Sequence, residues 1–401
     1  MANSNILLTL LLIIFMFYIS AAQGIESLPA FASSSSDGIC KSMVETQGYT
    51  CEEHKVTTKD GYILSLQRIP EGRSGKKADK PPVLLQHGLF VDAVSWLLSS
   101  PDESLAFILS DNGFDVWLGN TRGTRYSSAH TSLSPIDRAY WEWSWEELSS
   151  YDLHALVHYV YNHTGQKIYY TGHSQGTVIA LAAFSQKELV NIIRSAALLS
   201  PIAHLNHIPS PLLQFAANAF LANALYWLNL REFLPRSQEA AQLLEVFCTV
   251  TGIDCSNILT LLTGPNCCFN STTLEVLLFR DLQPTATMNL IHYSQMVRTG
   301  RIAKYDYGNP IQNNQHYGQS RPPVYDMTSI PNDLPLFLSY GKNDILSDVG
   351  GVQVLLDELK NHDQDKLMVV FNEDYAHADF ILANNAKEVV YEPLMTFFNQ
   401  N

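Results

Sequence analysis

On both sides of Asp60-Gly61, in residues 49–66, hydrophobic and polar positions alternate, which predicts a hairpin with one face of each strand toward solvent. The pattern then changes. Residues 82–90 (PVLLQHGLF) form a short continuous apolar run ending beside a glycine, the mark of a strand covered on both faces in a parallel sheet. Residues 104–112 have helical spacing, and 114–118 (FDVWL) are a second such strand, leading into Gly119-Asn120-Thr121-Arg122-Gly123. Residues 146–161 read as a helix feeding a strand near residue 170, and residues 196–201 read as a further strand. Alternation stops from about 204 to 320, where long apolar helical runs take over. It returns with a strand at 334–340, a helix at 349–360 and a strand at 366–371. Strands alternating with helices predict an α/β architecture around a mostly parallel sheet. The interruption predicts a helical cap or lid at 204–320, inserted between core segments 23–203 and 321–401.

The pattern is sharpest at residues 167–184 (KIYYTGHSQGTVIALAAF): a buried strand, a turn crowded with glycine, then an apolar helix. Small residues around Ser174 let the chain turn tightly enough to expose the hydroxyl, as in a GxSxG elbow. The N–H groups that open the following helix face the same spot, where an anion would meet fixed dipoles. Ser174 is therefore the candidate nucleophile.

Composition adds the compartment. Residues 6–20 are apolar and uncharged and precede Ala21-Ala22-Gln23-Gly24, which predicts a secretory signal at 1–22 cut after Ala22. A membrane anchor would need about 20 apolar residues. An exported chain makes disulfides the natural use of its 6 cysteines, with Cys40 paired to Cys51 and one or two bonds among Cys248, Cys255, Cys267 and Cys268. No histidine pattern accompanies these cysteines, so a zinc site is not expected. Asn162 and Asn270 lie in glycosylation sequons. The net charge of −14 offers no basic stripe for nucleic acid.

A serine hydroxyl needs a base within reach and a group that orients the base. On α/β-hydrolase folds these follow in the order Ser, Asp or Glu, His, from loops after strands. Asp344 follows the strand at 334–340 and is the preferred acid; Asp348 is its rival but is equally suited to cap the helix beginning near 349. His377 follows the last strand, whereas His362 lies in a polar connection, so His377 is the preferred base. Backbone N–H groups of Gln175, after the nucleophile, and Leu89, after the early strand, are the expected oxyanion donors. His87 reads as a structural histidine tying that loop down.

Together, His87-Gly88-Leu89, residues 113–123 (GFDVWLGNTRG), Gly172-His173-Ser174-Gln175-Gly176, Asn343-Asp344 and His377-Ala378-Asp379-Phe380 resemble the acid lipase family of gastric, lysosomal and plant lipases. The Cys40/Cys51 pair and the adjacent Cys267-Cys268 resemble its plant members. The resemblance implies an α/β-hydrolase fold with a mobile lid, a triad of Ser174, Asp344 and His377, and an oxyanion hole at Leu89 and Gln175. It also implies hydrolysis of acylglycerols or sterol esters at a lipid–water interface, with no metal or organic cofactor, by a protein that is secreted or vacuolar. A carboxylesterase for other acyl esters is the alternative, because fold and triad leave the acyl acceptor open. Residues 211–234 carry no charge before Arg231 and are apolar nearly all round, so they must be buried or meet another apolar phase.

Overall fold

The computed structural model describes residues 38–234, 256–268, 273, 276–277 and 282–401. The expected signal at 1–22, Cys248, Cys255 and the Asn270 sequon lie outside the described residues. The strands are β1 (Glu52–Thr57), β2 (Tyr62–Ile69), β3 (Lys80–Gln86), β4 (Phe114–Gly119), β5 (Ala129–His130), β6 (Ile168–His173), β7 (Ile193–Leu199), β8 (Glu232–Phe233), β9 (Thr285–Ala286), β10 (Leu336–Gly341) and β11 (Leu367–Asn372).

The main sheet has the order β1-β2-β4-β3-β6-β7-β10-β11, with β5 on β2. The expected hairpin forms, with β1 and β2 antiparallel and Thr57 opposite Ile63 across Asp60-Gly61. From β4 to β11 every pairing is parallel. Burial explains the two kinds of sequence pattern. The interior strands β4 and β6 are buried at every residue, whereas the edge strands β1 and β11 alternate.

The sheet separates two apolar cores, and neighbouring residues of a strand go to opposite ones. Leu84 and Trp117 join the core that includes Val157, Val160, Val178 and Leu181 from the His154–Thr164 and Gln175–Ser185 helices. Val83, Leu85, Val116 and Leu118 join the other, with Phe107 and Phe398 from the Leu105–Asp111 and Glu392–Gln400 helices. The parallel pairing sends the loops after β3, β6, β10 and β11 to one end of the sheet. Ligands in open parallel sheets bind at that end.

The loop after β4 is pinned there by Arg122, which is almost fully buried. Its guanidinium donates to Asp60 at 2.6 and 3.0 Å and to Asp152 at 2.7 Å, and it stacks on Tyr62 at 3.8 Å. One cation thereby ties the hairpin turn, the β4 loop and the helical run before residue 154 together. Stripping one acid from such a buried cluster leaves charge uncompensated, at about 3–5 kcal/mol.

In the stretch 204–320 the described residues depart from sheet-and-helix alternation. Its described parts are mainly helices, with β8 and β9 forming a separate antiparallel pair. The apolar run at 211–234 differs from one continuous helix. It breaks into Pro211–Asn218 and Leu221–Trp227 at Phe220, which takes the left-handed conformation with φ 54° and ψ 37°. Neither piece is buried throughout: Trp227 is 77% exposed, Leu228 72% and Phe220 48%. Among the described residues no helix is long and apolar enough to cross a membrane.

Cys40 and Cys51 are bridged, and Cys267 is bridged to Cys268. The first bond closes a loop across 11 positions and holds the 40–44 turn against β1. Cys51→Ser should therefore lower stability by about 2–3 kcal/mol in urea titration under non-reducing conditions. A midpoint equal to the parent's would show that the bond restrains nothing.

Candidate active site

Ser174 ends β6 and opens the Gln175–Ser185 helix with φ 53° and ψ −117°. Its N–H donates to Leu199 O at 3.1 Å, and its own carbonyl accepts from the Thr177 N–H and hydroxyl at 2.8 and 2.5 Å. The turn is tight enough that its glycines have no substitute. A Cβ on Gly176 would stand 2.5 Å from Gln86 O, and one on Gly88 would stand 2.9 Å from Ser174 Cβ. The β3 loop therefore lies directly against the serine.

His87 sets the orientation of that loop. Burial pushes its imidazole down to about 4, so the ring is neutral. Nε2 accepts from the Thr121 N–H at 3.1 Å, which leaves the proton on Nδ1 to be donated to Gly88 O at 2.8 Å. Because the Gly88–Leu89 peptide is trans, its N–H points away from the carbonyl that His87 holds. Beyond it, Phe90 O accepts from the Gln283 N–H at 2.8 Å.

Asp344 and His377 come together although 33 positions apart. The His377 Nδ1–H donates to the Asp344 carboxylate at 2.9 Å to Oδ2 and 3.1 Å to Oδ1. Oδ1 also accepts from the Leu346 and Ser347 N–H groups at 2.8 Å each. Burial acts to raise the Asp344 carboxyl, but the His377 charge and hydrogen bond and the two backbone donors outweigh it, so it is held below the usual range. With Nδ1 as donor, Nε2 carries the lone pair, and that nitrogen is buried with no hydrogen-bond partner.

The rival residues do other work. Asp348 accepts from the Gly350 and Gly351 N–H groups at 2.9 and 3.1 Å, capping the Val349–Glu358 helix. His362 is bonded to Leu334 O at 2.6 Å.

Several neighbours escape a sequence reading. His173 is kept neutral, its pKa pushed down to about 3 by burial and then by His377, and Nε2–H donates to His377 O at 2.9 Å. Asn289 and Tyr293, on the Thr287–Thr299 helix, donate to the Gln175 side-chain oxygen at 2.8 and 3.2 Å. Only the GHSQG spacing hints at the first of these, and nothing local marks the other two. Of the remaining predicted positions, Asn162 is exposed. No cluster suited to a metal ion occurs among the described residues.

A serine on a strained turn and, at the same end of the sheet, an imidazole with a free lone pair held by a carboxylate are the groups that acyl transfer uses. Two families of profile match this chain: a partial α/β-hydrolase lipase region over residues 40–100 and the α/β-hydrolase fold over residues 81–383. Triacylglycerol lipase 2 of Arabidopsis thaliana is 50% identical over 367 residues, covering 90% of this chain and 88% of its own. Human gastric triacylglycerol lipase is 35% identical over 379 residues, covering 90% of each. A monoglyceride lipase from Saccharomyces cerevisiae shares the fold at TM-score 0.52 and 15% identity, over 88% of this chain and 96% of that one. A carboxyl esterase from Bacillus coagulans does so at TM-score 0.55 and 12% identity, over 88% and 98%. At this identity and coverage the chain belongs to the α/β-hydrolase lipases, in the family of gastric and plant acid lipases that its motifs resemble.

Proposed function

We propose that this enzyme hydrolyses water-insoluble acylglycerols, triacylglycerols foremost, through an acyl-enzyme on Ser174. The observation that carries the reading is the buried Asp344–His377 pair, whose free Nε2 lies at the same end of the sheet as the Ser174 elbow. His377 takes the serine proton as Oγ attacks the ester carbonyl, then returns it to the departing glycerol oxygen. Asp344 fixes the imidazole tautomer and stabilises the imidazolium. The Leu89 and Gln175 N–H groups receive the oxyanion, and water completes the cycle at the acyl-enzyme.

Residues 204–320 are proposed to be a cap between core segments 23–203 and 321–401. The Pro211–Asn218 and Leu221–Trp227 helices then act as its lid, in contact with lipid. Their exposed Phe215, Phe220 and Trp227 support this, because a soluble protein gains from covering such a face. The names of its relatives support triacylglycerol as substrate. A closed Cys40–Cys51 bond supports passage through the secretory pathway.

Asp344→Asn should lower turnover about 10⁴-fold by favouring the wrong tautomer, whereas Asp348→Asn should cost helix stability and little turnover. The reverse ranking would reassign the acid. Activity on emulsified trioleoylglycerol should greatly exceed activity on a dissolved short-chain ester. Replacing Phe220 and Leu221 with serine should reduce the former several-fold more than the latter. Preference for the dissolved ester would make the enzyme a carboxylesterase, and equal losses on both substrates would remove the lid from the account.

A further inference from the structure

Asp379 follows His377 by two residues, is fully buried, and has no part in the chemistry above. It forms no ion pair among the described residues, so its charge depends on backbone donors. Its carboxylate accepts from the Ala376 N–H at 2.8 Å, the Cys267 N–H at 3.1 and 3.2 Å, and the Cys268 N–H at 3.2 Å. Although Asp379 begins the Asp379–Leu382 helix, it does not cap that helix. The side chain instead reaches back across the His377 turn and out to the 263–268 stretch.

The two neighbouring N–H groups are taken by the same stretch. His377 N–H donates to Thr263 O at 3.1 Å, and Ala378 N–H donates to Asn266 Oδ1 at 3.0 Å. Asn266 is held in that orientation because its amide nitrogen donates to Thr263 Oγ1 and Gly264 O at 2.7 and 3.0 Å. Three consecutive peptide N–H groups, at 376–378, are thus fixed by Asp379 and by residues from another part of the chain. Gly264 brings that stretch against the acid loop as well, since a Cβ there would stand 2.0 Å from Asn343 O. The Cys267–Cys268 bond closes a ring through one peptide unit, and both of its N–H groups converge on the one carboxylate.

We propose that Asp379 is a positioning residue: with the 263–268 stretch as a clasp, it sets the backbone of His377 and thereby the line of the imidazole from Asp344 to Ser174. The proposal rests on the assignment of His377 as the base. An isolated buried carboxylate is costly to a fold unless something is gained by it. The gain here is geometric, because an error of about 1 Å in a reacting group costs on the order of 100-fold in rate.

The test uses the full-length enzyme on a dissolved ester, with turnover expressed per active site titrated by an alkyl phosphonate, so that unfolded protein is not counted. Asp379→Asn, which turns an amide N–H₂ toward donors, should lower per-site kcat by about 10- to 100-fold with KM unchanged. Asn266→Ala removes from a half-buried position the acceptor of the Ala378 N–H and the amide that ties it to Thr263 and Gly264, and should lower per-site kcat in the same way at smaller size, which covers the case of an Asp379 variant that fails to fold. A merely structural Asp379 would reduce the number of titratable sites and leave per-site kcat and KM at parental values in both variants; that result overturns the proposal. An active His377→Ala variant would overturn the underlying assignment too, and is distinguishable from an inert Asp379.

Discussion

The backbone of Ser174 is the constraint to which the rest of the site answers. At φ 53° and ψ −117° a residue with a Cβ sits in a sparsely populated conformation that costs on the order of 1–3 kcal/mol. It persists because β6 is locked between β3 and β7, and because the serine N–H and carbonyl are both satisfied, by Leu199 and Thr177. The same geometry lifts the hydroxyl clear of the sheet and starts a helix beneath it, whose first N–H groups have no intrahelical partner. It also forces the β3 loop so close that only glycine fits at 88 and 176.

Around this fixed point the second half of the chain supplies the proposed acid and base, and the stretch between the halves supplies restraints. Gln283 binds Phe90 in the oxyanion loop, Asn289 binds the Gln175 side chain, and Thr263 binds the His377 N–H. Each loop with a proposed role in the chemistry is thus touched by residues 204–320. Those contacts come from 263–268 and 282–293, whereas Phe215, Phe220, Trp227 and Leu228 on 211–228 are exposed. The former part holds the catalytic loops, and the latter is the part proposed to meet a lipid surface.

Much of this was legible in the sequence because it is local. Continuous apolar runs marked the buried parallel strands, and the glycines of GHSQG marked the turn. Placement after a strand then favoured Asp344 over Asp348 and His377 over His362, and the structure gives both rivals structural bonds. His87 proved structural, as expected, yet it acts on the very peptide that holds Leu89 N–H. The break at Phe220 was not legible, because Ala219-Phe220 contains no helix breaker and the left-handed turn is fixed by packing, with Arg298 over the ring at 4.2 Å. Nor was the clasp on the His377 turn, which joins residues more than 100 positions apart. Hydrogen bonds between distant backbone groups leave no periodic trace in a sequence.

The central claim is that one serine, activated by the Asp344-supported His377, carries the acyl group. Stoichiometric inactivation with a long-chain alkyl phosphonate, followed by peptide mapping, tests it most directly. A single adduct on Ser174 should form in step with the loss of lipolysis, and His377→Ala should slow its formation by several orders of magnitude. An adduct on another residue, or lipolysis that survives full labelling of Ser174, would contradict the account.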